Sequence, residues 1–191
     1  MSALPPFSKL RANYPAKSSV PAKALLDSIG GQVRASLRDD VNTCALRMSE
    51  CLNKSGAPLV HVAGLYTLAG DAAATPSLGY RPALPKPRFI VRVHDMMTYL
   101  RRVYGKGHTI YDARAQPNAV HLKGRKHVQG IIVFEWLGPP REFGATGHVD
   151  LFSVVDRGPN VVPQFVPACD GECFWLTDSG PMVAHLWETT S

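Results

Sequence analysis

Cys44 has the residue type and the position that favour covalent chemistry. It follows Asn42 and Thr43, which are common helix-capping residues, so we expect its thiol in the first turn of a helix. The positive end of a helix dipole favours the thiolate, which is the nucleophilic form of cysteine. The backbone amides of that turn, including the amide of Cys44, are placed to stabilise an oxyanion. The pattern therefore predicts a cysteine nucleophile.

Cys51 occurs seven residues later in the same predicted helix and provides a contrast. It lies beside an apolar line formed by Ala45, Met48 and Leu52 and has no helix start next to it. Free cysteines in such positions are commonly buried and structural. We therefore expect Cys51 to be inert.

A cysteine nucleophile needs a base, and the chain has seven histidines from which to choose. His185 lies on a predicted terminal strand and fits either a structural or a functional role. His148 follows a turn at 144–147 whose glycines allow close approach of the chain and deliver the imidazole at the start of a strand. We predict His148 as the general base. The remaining histidines lie in predicted loops or beside basic residues, where a solvated side chain is expected: His61, His94, His108, His121 and His127.

The elements that position these residues follow from the hydrophobic pattern. Helices are predicted at 21–29, 42–53 and 95–104, the last one capped by Asp95. Strands are predicted at 89–93, 128–137, 148–155, 173–176 and 183–187, and loops at 57–87 and 106–127. The nearly continuous apolar run at 128–137 indicates a central strand that is covered on both faces. Because helices come first and strands last, we expect an α+β fold with an antiparallel sheet.

Length and composition limit the class of protein. The 191 residues, 45% of them hydrophobic, fit a single domain over 1–191, in which residues 1–19 form an extended N-terminal arm. The 16 glycines and 16 prolines argue against a coiled coil or a helical bundle. A formal charge of +6 favours an anionic partner. The apolar runs are too short for membrane insertion, and the N-terminus lacks a signal-peptide pattern, so we expect synthesis in the cytoplasm without ordinary secretory export.

Three segments taken together resemble one family. They read NTCALRMS at 42–49, RVHD at 92–95 and GATGHVDL at 144–151. In this combination they are similar to the type VI secretion amidase effectors of the fourth family. The resemblance extends over about residues 14–176, from the Tyr14-Pro15 pair to Trp175. The loops at 57–87 and 106–127 and the tail after Trp175 show no match.

This resemblance implies a specific fold and activity. The fold is papain-like (NlpC-like), with N-terminal helices packed on an antiparallel sheet. The implied activity is antibacterial, the cleavage of peptidoglycan stem peptides between D-Glu and meso-diaminopimelate in the periplasm of a rival bacterium. The type VI secretion apparatus delivers such effectors without a signal peptide, and a cognate immunity protein blocks them. Carried over by motif, Cys44 is the nucleophile and His148 is the general base of a cysteine peptidase that needs no cofactor.

The resemblance also implies a third catalytic residue. In relatives an aspartate close to a Cys-x-x-x-Cys segment after the histidine holds the imidazole, and CDGEC at 169–173 offers Asp170. We predict Asp170 for this role. Asp150 is two residues from His148 on the same strand and reaches its ring only if the strand twists. The alternatives that stay open are Asp150, Asp156 and Glu172.

Cys169 and Cys173 allow two interpretations. Because Gly171 lets the intervening turn close, a disulfide formed in an oxidising compartment would clamp the loop that carries Asp170. The alternative is a pair of reduced cysteines at a strand end. A zinc site is not favoured, because no second Cys/His pair at ligand spacing accompanies this one, and we expect no metal.

Two other functions stay open at this point. A papain-like cysteine peptidase or deamidase that acts on a protein substrate requires Cys44 equally but releases no product from peptidoglycan. A nucleic-acid binder is suggested by the basic charge and by the KGRK segment at 123–126. The sequence lacks stacking-aromatic motifs and zinc-finger spacing, so we expect no nucleic-acid partner.

Overall fold

The computed structural model of this chain describes residues 2–71, 86–112, 128–136, 147–156, 161–165 and 182–189. Within these ranges the helices are α1 (Phe7–Asn13), α2 (Ala22–Ile29), α3 (Gly31–Ser36), α4 (Cys44–Lys54) and α5 (Val93–Tyr104). The strands are β1 (Thr67–Ala69), β2 (Arg88–Ile90), β3 (His108–Asp112), β4 (Gln129–Trp136), β5 (Gly147–Asp156), β6 (Val161–Phe165) and β7 (Met182–Glu188).

The main sheet has five strands in the order β3-β7-β4-β5-β6, and every neighbouring pair is antiparallel. β1 and β2 form a separate antiparallel pair. In the main sheet, β4 pairs Phe134 with His148 and Ile132 with Asp150 of β5. The predicted α+β class with N-terminal helices on an antiparallel sheet is confirmed.

Strand β4 lies at the centre of the sheet and is buried on both faces. Ile131 and Val133, on one face, belong to the core cluster that contains residues of α4 and α5. Ile132 and Phe134, on the other face, are also buried. The prediction of a central strand covered on both sides is therefore confirmed, and its continuous apolar sequence is the reason.

Helix α4 is enclosed on all sides, although its sequence predicted only one apolar face. Every residue from Cys44 to Asn53 is buried. One side of the helix packs in a core cluster with α1, α5, β4 and β5, whereas Leu46 packs in a second cluster with α2, α3, β1 and β2. A helix that is fully enclosed must satisfy its polar side chains inside the protein.

The N-terminal segment contains a helix where the sequence predicted an extended arm over 1–19. Helix α1 begins directly after Pro6, and its Phe7 and Leu10 are buried in the core. Proline before a first helical turn breaks no hydrogen bond, because that position has no helical acceptor. The prediction of an arm is wrong for this segment, since Phe7 and Leu10 share one face and dock on α4.

Several element boundaries also differ from the sequence prediction. Helix α5 begins at Val93, so Asp95 lies inside its first turn instead of capping it. Strand β1 lies in the 57–87 segment and β3 in the 106–127 segment, both of which were predicted as loops. These strands are short and gain their stability from pairing, which a local pattern does not reveal. The strand predicted at 173–176 lies outside the described residues.

The described helices have at most 12 residues, and none of them is long and apolar enough to cross a membrane. The prediction of one domain over 1–191 extends beyond the described residues and stays a prediction.

Ser49 ties α4 to β2 through a buried hydroxyl. Its Oγ accepts the backbone N–H of Ile90 at 2.9 Å and lies 2.9 Å and 3.1 Å from the carbonyl oxygens of Ala45 and Ile90, respectively. Because Ile90 is fully buried, no water is at hand to replace this hydroxyl.

The Ser49→Ala variant should leave the Ile90 amide without its partner and lower the free energy of unfolding by about 1–3 kcal/mol. Urea denaturation measures this change. Ser28→Ala is the matched control, because its hydroxyl donates only to the Leu25 carbonyl within its own helix. We expect the control to change stability by less than about 0.5 kcal/mol. Equal effects of the two variants would contradict the role of Ser49.

Candidate active site

The predicted nucleophile is the first residue of the enclosed helix. Cys44 begins α4 and is 6% exposed, so its position at the helix start agrees with the sequence prediction. Thr43 is the N-cap residue, and the Oδ1 of Asn42 just before it accepts the backbone N–H of Cys44 at 3.1 Å. We predicted that the Cys44 amide stabilises an oxyanion, but in this structure it already donates to Asn42. An oxyanion can bind this amide only after it displaces the Asn42 side chain.

Cys51 lies in a different environment from Cys44. It is fully buried, and its thiol donates to the carbonyl oxygen of Leu10 at 3.2 Å. Burial raises the pKa of Cys51 to about 12, so its thiol stays protonated at neutral pH. This environment supports the structural role that the sequence predicted.

His148 occupies the second position of β5, and its neighbour Gly147 makes that position possible. A Cβ atom at residue 147 would collide with the carbonyl oxygen of Phe134 on β4. Close pairing of the two strands therefore requires glycine, as the sequence predicted for this turn. His148 is only 7% exposed, and its imidazole stacks on Phe134 with ring centroids 6.4 Å apart.

The other described histidines have different surroundings. His61, His94 and His108 are exposed, in agreement with the prediction of solvated side chains, and His121 and His127 lie outside the described residues. His185 on β7 is half-buried, and its ring nitrogens lie 3.3 Å from Arg101 Nη2 and Thr109 Oγ1. These neighbours indicate a structural network for His185 on the sheet.

Asp150 is the carboxylate that the described residues bring to His148. It lies two residues further along β5, on the same face, and is 5% exposed. Its Oδ2 is 3.6 Å from His148 Nε2, slightly beyond hydrogen-bond distance. Its Oδ1 accepts the backbone N–H of Leu151 at 2.7 Å. Strand β5 therefore brings Asp150 close to the His148 ring, which we expected only if the strand twists.

The remaining carboxylate candidates have no described side chain. Asp170 and Glu172, together with Cys169 and Cys173, lie outside the described residues. Asp156 is the last residue of β5, at the opposite end from His148. The choice of Asp170 and the Cys169–Cys173 disulfide therefore stay predictions.

Tyr14 is a neighbour of this site that the sequence did not indicate by any chemical pattern. It directly follows α1 and packs against the core cluster that contains Cys44. The pKa of Tyr14 is raised well above its usual value, first by burial of the hydroxyl and then by the nearby Asp150 and Cys44 groups. In the sequence, Tyr14 was notable only because the family resemblance begins at this residue.

The site residues lie on two elements and on the segment between α1 and α2. Asp150 Oδ2 is 3.6 Å from His148 on β5, and Tyr14 packs against the core cluster that contains Cys44. A thiol, an imidazole and a carboxylate are the groups that nucleophilic acyl transfer requires. Within the described ranges, no group of three or more His, Cys, Asp or Glu residues is arranged to hold a metal ion.

Comparison with known proteins identifies the family. The family model for type VI secretion system (T6SS) amidase effector protein 4, Tae4, matches residues 41–169, which is more than half of the chain. No curated protein matches the chain. The matched region includes the predicted nucleophile and base, Cys44 and His148.

Solved structures of Tae4 effectors have a similar fold. The type VI effector Tae4 from Enterobacter cloacae is 26% identical, with a TM-score of 0.62 and full coverage of both chains. The Tae4–Tai4 effector-immunity complex from Enterobacter cloacae gives 24% identity and a TM-score of 0.64, covering 97% of this chain and 99% of the other. Tae4 from Salmonella typhimurium, in complex with Tai4 from Enterobacter cloacae, gives 22% identity and 0.63 with the same coverage.

The similarity to these structures agrees with the predicted papain-like (NlpC-like) fold. The match of the family model over residues 41–169 agrees with the resemblance carried by the motifs around Cys44 and His148. The chain therefore belongs to the Tae4 family, the amidase effectors of type VI secretion systems.

Proposed function

We propose that this protein cleaves the bond between D-Glu and meso-diaminopimelate in peptidoglycan stem peptides, with Cys44 as nucleophile and His148 as general base. The observation that carries the proposal is the place of Cys44 at the start of the enclosed helix α4, within the region matched to the amidase family. The formal charge of +6 suits a polymer that is rich in carboxylates.

The reaction has two steps. The Cys44 sulfur attacks the carbonyl carbon of D-Glu, while His148 accepts the thiol proton and transfers it to the amine of meso-diaminopimelate as that group leaves. The product of this step is a thioester between D-Glu and Cys44. His148 then takes a proton from water, the resulting hydroxide attacks the thioester, and the proton returns to the sulfur. The net reaction is hydrolysis of one amide bond, without a cofactor.

An acidic group beside His148 assists both steps. Because His148 Nε2 faces Asp150 at 3.6 Å, we assign Nδ1 as the ring nitrogen that accepts the thiol proton. A carboxylate in this place fixes the ring orientation and stabilises the imidazolium that forms. Two aspartates are proposed for this role: Asp150, which has the described contact, and Asp170, which the sequence predicts.

The proposal includes partners and a place of action. Tae4 effectors from Salmonella typhimurium and Enterobacter cloacae have been solved in complex with Tai4 immunity proteins. We expect that a cognate immunity protein likewise blocks this enzyme in the cell that makes it. Delivery by the type VI apparatus brings the enzyme to peptidoglycan in the periplasm of the target cell, where an oxidising environment favours the proposed Cys169–Cys173 disulfide.

The Cys44→Ala variant should abolish the release of muropeptides from purified Gram-negative sacculi, because it removes the nucleophile. Mass spectrometry of the soluble products measures cleavage and identifies fragments that end at D-Glu. Cys51→Ala is the matched control, because it removes a thiol from the same helix that is held protonated by burial. We expect this control to retain cleavage.

Release of the same fragments by Cys44→Ala would contradict the proposal. If the wild-type protein with oxidised Cys169 and Cys173 releases no fragment, the peptidoglycan substrate is wrong, and a protein substrate becomes the favoured alternative.

Replacing the carboxylate that holds His148 should lower kcat by about 100-fold or more, because the imidazole loses its orientation. The contact with His148 leads us to expect this loss for Asp150→Asn, with Asp170→Asn close to wild type. Steady-state kinetics on a soluble stem peptide measures both variants. The reverse result would assign the role to Asp170.

A further inference from the structure

Arg92 lies near the beginning of the nucleophile helix, because strand β2 and the residues after it run along α4. At the C-terminal end of α4, the Asn53 side chain donates to the carbonyl oxygen of Arg88 at 3.0 Å. Four residues earlier in the helix, Ser49 Oγ accepts the amide of Ile90 at 2.9 Å. Two extended residues advance about 7 Å, and four helical residues advance about 6 Å. The same spacing brings Arg92, whose backbone is also extended, level with the first turn of α4.

The residue after Arg92 contacts the strand that carries His148. Helix α5 begins at Val93. The Cγ1 atom of Val93 lies only 3.1 Å from the place that a Cβ atom at residue 147 would take, so Val93 packs directly on Gly147 of β5. His148 is the next residue of that strand. Arg92 is therefore next to the starts of both elements that carry the proposed reacting pair.

The Arg92 side chain is exposed and lies over the ring of Tyr66. Its guanidinium carbon is 4.9 Å from the ring centroid, a cation–π contact that restricts the position of the cation. Tyr66 itself is held in place, because the next residue, Thr67, pairs with Ile90 in the small sheet. Within the ranges that the structure describes, Arg92 forms no ion pair with a carboxylate. Its N–H donors are therefore positioned but not neutralised there.

The proposed substrate carries the anion that such a donor set binds. Glutamate has one amine and two carboxyl groups. When the amine is bonded to L-Ala and one carboxyl group forms the scissile amide, D-Glu keeps its other carboxylate free. In the tripeptide, meso-diaminopimelate carries free carboxylates as well. A guanidinium binds a carboxylate through two parallel N–H donors, which gives both attraction and a defined orientation.

We propose that Arg92, supported by Tyr66, binds a carboxylate of the stem peptide beside the scissile amide and thereby selects the substrate. The inference rests on the proposed function, because it takes the stem peptide as the ligand of this site. The contact with Tyr66 fixes the guanidinium before the substrate arrives, so less conformational freedom is lost on binding. The inference assigns a role to the first residue of the RVHD segment at 92–95.

Binding of the tripeptide L-Ala–D-Glu–meso-diaminopimelate to the Cys44→Ala variant tests this role without turnover. Isothermal titration calorimetry measures Kd. We expect Arg92→Gln to raise Kd about 10-fold or more in this background, because a charge-assisted pair of hydrogen bonds is lost. Arg11→Gln is the matched control, since it removes the same charge from an exposed arginine of α1, which packs near the other end of α4. Because salt screens a distant exposed charge, the control should change Kd by less than about twofold.

Two amidated tripeptides identify the carboxylate. One has a carboxamide in place of the free D-Glu carboxylate, and the other has carboxamides on meso-diaminopimelate. We expect one of them to bind the Cys44→Ala variant about 10-fold more weakly than the parent peptide does. The same amidation should cause no further loss when Arg92→Gln is added, because the two changes remove the same interaction. The peptide that shows this coupling identifies the residue that Arg92 binds.

The inference is overturned if the tripeptide does not bind, if Arg92→Gln binds it as tightly as Arg11→Gln does, or if neither amidation couples to Arg92. Failure of the proposed function gives a different result. Binding that depends on Arg92, without fragment release from sacculi by the wild-type protein, would retain the role of Arg92 and reject the cleavage. Fragment release together with binding that ignores Arg92→Gln would retain the cleavage and reject the role of Arg92.

Discussion

The enclosure of α4 is the constraint on which the rest of the structure depends. A helix buried on all sides cannot leave its polar groups to water, so they must find partners inside the protein. Glu50 pairs with Lys54 of the same helix, and three other polar side chains bond to the segments that cover α4. Ser49 bonds to β2, and Asn53 bonds to the carbonyl oxygen of Arg88 and the amide of Leu59. Arg47 bonds to the segment after α1, at Pro15. These three polar residues of α4 thereby help to determine where its neighbours lie.

The candidate active site is a consequence of this arrangement. Helix α4 packs directly against strand β5. The helix begins with Cys44, and the strand carries His148 and Asp150. Gly147 permits the tight pairing of β5 with β4 that places His148 beside Phe134. Both sides of the site are therefore built on rigid elements, which is what nucleophilic catalysis requires of its reacting groups.

Local patterns in the sequence were sufficient for some parts of this site. Capping residues predicted the start of α4 and hence the place of Cys44, and a glycine-containing turn before an apolar run predicted His148 at the start of β5. The contact of Asp150 with His148 depends on the shape of the whole strand. The alternation of side chains along a strand could therefore not predict it. Helix α1 and the position of Tyr14 depend on docking against α4, a long-range contact that has no local pattern.

The central claim is that Cys44, at the start of α4, forms a covalent intermediate with the acyl part of a stem peptide. The most direct measurement is rapid acid quenching of the enzyme during turnover of L-Ala–D-Glu–meso-diaminopimelate, followed by peptide mapping with mass spectrometry. We expect an L-Ala–D-Glu acyl group on the peptide that contains Cys44. An acyl group on a residue other than Cys44 would contradict this claim. Product formation by the Cys44→Ala variant would contradict it as well.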